Sequence, residues 1–103
     1  MTQSELLQRI KERLQELYGA RFRGLVLYGS AARGDAREDS DLDILCVLDG
    51  LRGGETSEIT RATYPLQLEF LDRIFHILPV DMSDYEAGEF GFYRIVRREG
   101  ILV

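Results

Sequence analysis

The sequence predicts a single α/β (α+β) domain in which a small mixed β-sheet is flanked by helices. Segments with helical and strand periodicity follow one another in the order helix, strand, strand, helix, strand, helix. A length of 103 residues suits one domain, covering residues 1–103, and no repeat or linker-like segment divides it. The apolar content of 45% with 30% charged residues is typical of a globular chain.

The first half of the chain predicts one helix and two strands. The helix covers "TQSELLQRIKERLQELYG", because apolar residues recur there at steps of three and four: Leu6, Ile10, Leu14 and Leu17. Thr2 and Glu5 have capping-box spacing, and Gly19 stands where the helix would end. A short strand follows from Leu25 to Tyr28, and a second lies in "DLDILCVLDG".

The second half predicts a helix, an edge strand and two short helical pieces. The helix runs from Glu55 to about Leu71, and Pro65 should kink or split it. The strand runs from Ile74 to Met82, where Pro79 favours an edge or a bulge. A capping-box pair, Ser83 and Glu86, opens a short acidic helix, and "FYRIVRREG" forms the last helical piece.

Charge and composition exclude several classes of function. A net charge of −5 repels a phosphate backbone, so a long nucleic-acid ligand is disfavoured. We expect neither a signal peptide nor a membrane helix, because no apolar stretch approaches the ~20 residues that a span needs. The lone Cys46 excludes an internal disulfide and suits a cytoplasmic protein, in which we expect it to be a small core residue.

The stretch "LYGSAARGDAREDSDLDILCV" carries the candidate chemistry. Asp41 and Asp43 are two residues apart on a strand, so both carboxylates face the same side, about 7 Å apart. Paired carboxylates without a neighbouring His or Cys favour Mg²⁺ or Mn²⁺ over zinc. Gly29 and Ser30 end the preceding strand, where backbone N–H groups and a hydroxyl would suit a triphosphate.

Each of these residues also has a plain structural interpretation. Asp41 and Asp43 could be solvated acids, and Gly29-Ser30 could be a simple turn. Arg33 could contact phosphate or pair with a nearby acid. For His76, packing or hydrogen bonding is favoured over catalysis. The aromatic group of Phe90, Phe92 and Tyr93 is favoured as core over a base-stacking platform.

The same stretch resembles the signature of the DNA polymerase beta superfamily of nucleotidyltransferases. That signature is Gly-Ser, ten residues, then Asp-x-Asp, and here the ten are residues 31–40 without insertion or deletion. The resemblance covers Leu25 to Leu48, about a quarter of the chain. The small size is similar to minimal nucleotidyltransferases, which include antitoxins encoded beside HEPN-domain toxins.

The resemblance implies transfer of a nucleoside monophosphate from a nucleoside triphosphate, with ATP as the expected donor, to an acceptor hydroxyl. Gly29, Ser30 and Arg33 would contact the triphosphate, and Asp41 and Asp43 would bind Mg²⁺ or Mn²⁺. A third metal-binding and catalytic carboxylate is assigned to Asp81, with Glu69 as the fallback.

The implied acceptor is a hydroxyl on a partner protein, such as a HEPN-type toxin, so the chain would act as an antitoxin. A non-catalytic antitoxin, or binding module with a degenerate nucleotide site, is the alternative. An RNA-tailing enzyme is disfavoured by the acidic charge. We also expect a homodimer or an obligate partner complex. Both faces of the second strand are apolar beyond its charged start, so both need to be covered. One face carries Leu45 and Val47, and the other carries Ile44, Cys46 and Leu48.

Overall fold

A computed structural model describes residues 2–29, 32, 41–88 and 91–103. The helices are α1 (Gln3–Tyr18), α2 (Glu55–Glu69), α3 (Met82–Ala87) and α4 (Gly91–Glu99), and a 3₁₀ turn at Gly19–Arg21 follows α1. The strands are β1 (Phe22–Tyr28), β2 (Leu42–Leu48), β3 (Phe75–Asp81) and β4 (Ile101–Leu102). None of the helices in these ranges has the length and apolar character needed to cross a bilayer.

The four strands form one mixed sheet in the order β3-β2-β1-β4. β1 pairs antiparallel with both β2 and β4, whereas β2 and β3 are parallel and are connected through α2. The mixed sheet with helices on both faces confirms the predicted fold class.

Helices cover both faces of the central strand β2. Its residues Ile44, Cys46 and Leu48 belong to a core cluster with α1 and α2. Leu45 and Val47 pack on the other face with Val80 of β3 and Val96 of α4. The predicted alternation is therefore confirmed, and burial raises the pKa of the Cys46 thiol to about 12, as suits a core residue.

The N-terminal half follows the prediction with one difference in a boundary. The Thr2 hydroxyl accepts a hydrogen bond from the backbone N–H of Glu5 at 3.1 Å, and α1 ends at Tyr18, before Gly19. β1 begins at Phe22 rather than at Leu25. The ladder with β2 continues past Gly24 through an irregularity in register, so this glycine does not end the strand.

The C-terminal half shows three departures from the prediction. Pro65 does not split α2, because it lies on the exposed side, where water can bind the carbonyl left without a partner. The predicted capping box of Ser83 and Glu86 is wrong. Asp81 caps α3 instead, and its Oδ1 accepts from the backbone N–H of Ser83 at 2.9 Å. The two-residue strand β4 was not predicted.

Candidate active site

The Gly29 turn and the two aspartates meet at one end of the sheet. Gly29 directly follows β1, and Asp41 directly precedes β2. Because these strands are antiparallel, the end of β1 lies beside the start of β2, and Tyr28 is the register partner of Asp43. The sheet thus joins two parts of the motif that are 12 to 14 positions apart in the chain.

Gly29 packs directly against the carboxylate of Asp43. Its φ of 75° is in the left-handed region that favours glycine. A Cβ atom at this position would lie 2.7 Å from Oδ2 of Asp43, closer than such atoms approach in proteins. The missing side chain therefore makes room for a carboxylate beside the turn that the sequence predicts to hold phosphate.

Asp41 contacts a histidine of the neighbouring strand. Its Oδ2 lies 3.1 Å from Nε2 of His76, and its side chain is 51% exposed. His76 is the register partner of Asp43 in the parallel β2–β3 pair. Tyr28, Asp43 and His76 therefore form one row across three strands, with Asp41 next to it.

Tyr28 forms the other side of this row. Burial raises the pKa of its hydroxyl above the ordinary value, and the negative charge of Asp43 adds to the shift. The Tyr28 ring meets the ring of Phe92 edge to face, with centroids 5.5 Å apart. Asp43 thus has an aromatic neighbour on one side and an imidazole on the other.

Two of the acidic residues proposed from the sequence are not brought to this place. Asp81 pairs with Leu48, whereas His76 pairs with Asp43. His76 and Asp81 are five positions apart in β3, about 16 Å along a strand. Asp81 is therefore at the opposite end of the sheet, where it caps α3. Glu69 is in α2, which covers the opposite face from Asp43, and it forms an ion pair with Arg9 of α1 at 2.8 Å.

Two further predicted residues, Ser30 and Arg33, lie outside the described residues. Their assignment to the triphosphate stays a prediction from the sequence. Gly29 is the part of the predicted phosphate site that the structure describes, and its contact with Asp43 links that site to the aspartate pair.

The donor set at the sheet end fits a hard divalent cation. Asp41 and Asp43 offer carboxylate oxygens, and Mg²⁺ commonly binds through one or two carboxylates together with water and substrate phosphates. Among the residues that the structure describes, no group of three or more His, Cys, Asp or Glu side chains is arranged to hold a metal. The pair therefore fits a cation that shares its ligands with a nucleotide better than it fits a closed protein cage.

A neutral groove of about 320 Å³ opens beside His76, between α2 and β3. Its hydroxyl and amide groups are largely used within the protein. Thr60 and Thr63 donate to carbonyls one turn earlier in α2, and the Gln67 amide bonds to the chain after that helix. The described residues that line it include no lysine or arginine. They are Thr56, Ile59, Thr60, Thr63, Tyr64, Gln67, Phe75, His76 and Ile77. The groove therefore offers little to a triphosphate, and it lies on the α2 side of the sheet, away from the Asp43 carboxylate.

Sequence reasoning missed Tyr28 and His76 as neighbours of the aspartates. The alternation of His76 with Ile74 and Leu78 indicates its strand but not its register. A helix lies between β2 and β3 in the chain, which favours parallel pairing of these two strands. Pairing them in this way would have made His76 a candidate. Tyr28 directly precedes the Gly-Ser pair in the sequence, and that position was a usable signal.

Comparison with known proteins finds a related sequence and related folds. A protein of Methanocaldococcus jannaschii with the name "Putative protein adenylyltransferase" is 39% identical over 49 residues. The match covers 48% of this chain, and the chain spans about half the length of that relative.

Two solved structures share the fold. One is a toxin-antitoxin crystal structure with AMP-PNP, with a TM-score of 0.62, 16% identity, and coverage of 98% of this chain and 72% of that chain. The other is described as "a putative nucleotidyltransferase from Sulfolobus solfataricus", with a TM-score of 0.52, 22% identity, and coverage of 97% and 80%.

The family profile described as "Nucleotidyltransferase domain" matches residues 7–99, which include the three strands of the candidate site and most of the helices that cover them. The chain belongs to the nucleotidyltransferase domain family.

Proposed function

We propose that this domain transfers AMP from ATP to a hydroxyl group of a partner protein, and that it acts as the antitoxin of a HEPN-type toxin. The observation that carries the proposal is the packing of the Asp43 carboxylate against Gly29, with Asp41 at the start of the same strand. Two carboxylates beside a turn with free backbone N–H groups would suit a metal-bound triphosphate.

Each residue of the motif has a role in this proposal. Gly29 contributes its backbone to the triphosphate site and leaves room for the Asp43 carboxylate, while Ser30 and Arg33 contact the phosphate oxygens. Asp41 and Asp43 hold Mg²⁺ or Mn²⁺. Such a cation, when bound, stabilises the negative charge that develops on the phosphoryl oxygens during transfer. The acceptor oxygen forms a bond to the α-phosphorus, the bond to pyrophosphate breaks, and the acceptor proton passes to solvent.

ATP and a protein acceptor are supported from separate directions. The name of the M. jannaschii relative specifies protein adenylylation, and the toxin-antitoxin structure contains AMP-PNP. The net charge of −5 disfavours a nucleic-acid acceptor.

A non-catalytic antitoxin is the second candidate function. It is favoured by the position of Asp81, because the described residues bring two carboxylates together and not the three implied by the family resemblance. In that case the chain would neutralise its partner by contact, with or without a bound nucleotide.

Labelled ATP separates the two functions. The purified chain is incubated with Mg²⁺, [α-³²P]ATP and the protein encoded beside it, as wild type, as Asp43→Asn and as Asp49→Asn. Asp43→Asn should lower the transfer rate about 10²–10³-fold, because it removes a charged ligand at nearly constant size. Asp49 lies beyond the far end of β2 and pairs with Arg23, so its variant is the matched control.

The proposal expects wild type and Asp49→Asn to label the partner, and Asp43→Asn not to label it. Complexes of equal strength in all three would show that the fold survives each change. If none of the four common nucleotides transfers label and Asp43→Asn still neutralises the partner, the non-catalytic function is correct.

A further inference from the structure

We infer that His76 is a positioning residue for Asp41, holding one carboxylate oxygen so that the other is available to a cation. The inference deepens the proposed function and rests on it, since it concerns the same pair of aspartates. Its grounds are the register of β3, the contact with Asp41 and the arrangement of donors at this end of the sheet.

The register places His76 where a ligand from a neighbouring strand would stand. β3 runs parallel to β2, and His76 is the partner of Asp43. Register partners in adjacent strands point to the same face, so the imidazole lies on the face that carries the Asp43 carboxylate. The resemblance predicts a third carboxylate on a neighbouring strand, and at this position β3 carries the imidazole of His76 instead.

The contact joins Nε2 of His76 to Oδ2 of Asp41 at 3.1 Å. With the proton on Nε2, the imidazole donates and the carboxylate oxygen accepts. Both side chains are largely exposed, 62% and 51%, so the bond adds little to the stability of the fold. The bond serves instead to orient the Asp41 carboxylate. Asp41 precedes the first residue of β2, and the bond limits the rotamers of a carboxylate at a strand end.

The same contact argues for positioning over direct ligation. An Nε2 atom that donates its proton to Asp41 has no lone pair for a metal. The described residues include no group of three potential ligands arranged around one point. Partners that orient metal-binding side chains in this way typically contribute 10–100-fold to metal affinity.

Mn²⁺ binding to the purified chain tests the inference without a measurement of activity. Titration calorimetry with Mn²⁺ alone gives the affinity, and pulsed electron paramagnetic resonance on bound Mn²⁺ detects a directly coordinated imidazole nitrogen. Three variants are compared with wild type: His76→Ala, His76→Gln and His76→Asn. Glutamine can place an amide donor near the position of Nε2, whereas asparagine places it near Nδ1, short of Asp41.

We expect His76→Ala and His76→Asn to weaken Mn²⁺ binding about 10–100-fold and His76→Gln to restore most of the loss. We expect no directly bound nitrogen in wild type. Unchanged affinity in all three variants would overturn the inference. A glutamine variant as weak as the alanine variant would overturn the hydrogen-bonding role, and a directly bound nitrogen in wild type would make His76 a ligand instead.

Asp43→Asn in the same titration separates this inference from the proposed function. If Asp43→Asn abolishes binding while the His76 variants bind as wild type does, only the role of His76 is wrong. If wild type and Asp43→Asn are alike, the metal site itself is wrong, and the role of His76 is overturned with it.

Discussion

At the scale of single residues, Gly29 is the most constrained position of the candidate site. A Cβ atom would meet Oδ2 of Asp43 at 2.7 Å, and the φ of 75° is costly for any L-residue with a side chain. We predict that Gly29→Ala lowers the transfer rate on the order of 10²-fold, because the carboxylate must move to admit the methyl group. The labelling assay with the partner protein measures this loss.

Gly50→Ala is the matched control for this change. Gly50 has a φ of 85°, so alanine meets a similar backbone cost of about 1–2 kcal/mol, but no atom lies within 4 Å of its Cβ position. Both variants should melt at lower temperature than wild type, while Gly50→Ala retains its activity. Equal activity of the two variants would show that the contact between Gly29 and Asp43 is unimportant.

At the scale of secondary-structure elements, Asp81 belongs to the start of α3. Its Oδ1 accepts hydrogen bonds from the backbone N–H and the hydroxyl of Ser83, at 2.9 and 2.8 Å. We predict that Asp81→Asn, which can still cap, leaves both melting temperature and transfer rate close to wild type. Asp81→Ala should lower the melting temperature and leave Mn²⁺ affinity unchanged. Loss of Mn²⁺ binding in Asp81→Asn would return this residue to the metal site.

The contribution of the cap should also depend on pH. The hydrogen bond from the Ser83 hydroxyl lowers the pKa of Asp81 in the folded chain, and the hydrogen bond from the Ser83 backbone N–H lowers it further. A group with a lowered folded pKa stabilises the fold above its unfolded pKa and loses that effect as pH falls through the folded value. The difference in melting temperature between wild type and Asp81→Ala should therefore shrink below about pH 4. A difference that stays constant down to pH 2 would contradict this.

The elements also show what the sequence could and could not predict. Local signals were sufficient for α1, for β2 and for the edge character of β3, since periodicity, caps and proline act within a few residues. The structure does not bring Asp81 to the aspartate pair, because the position of this residue depends on register. Parallel pairing of β3 with β2 sets His76 beside Asp43 and Asp81 beside Leu48, and no local signal carries that alignment.

At the scale of the whole molecule, the fold removes one argument for association. The two apolar faces of β2 suggested that the chain needs cover from another chain. Its own helices supply that cover, and Leu45 and Val47 are 0% and 6% exposed. Large apolar side chains are exposed elsewhere, along the second half of α2, the turn after it and β3. We name the residues from the end of α2 through β3 the α2–β3 surface: Leu71, Ile74 and Leu78.

We predict that the α2–β3 surface mediates association, either with a second copy or with the partner protein. β3 is an edge strand, and Ile74 and Leu78 are 50% and 44% exposed. Ile74→Lys with Leu78→Lys should weaken assembly, because a charge must lose water to enter an apolar contact. The fold should change in stability by only about 0.5 kcal/mol per site, as is usual for exposed positions.

Sedimentation velocity over a range of concentrations, with the chain alone and mixed with the partner protein, measures this assembly. Leu17→Lys is the control, since Leu17 is 40% exposed on α1 and lies outside the α2–β3 surface. Wild type and Leu17→Lys should sediment as a dimer or as a complex, and the double lysine variant as a smaller species. Equal assembly of all three chains would mean that the contact lies on a different face. A monomer in every mixture would mean that the exposed apolar residues have no partner of either kind.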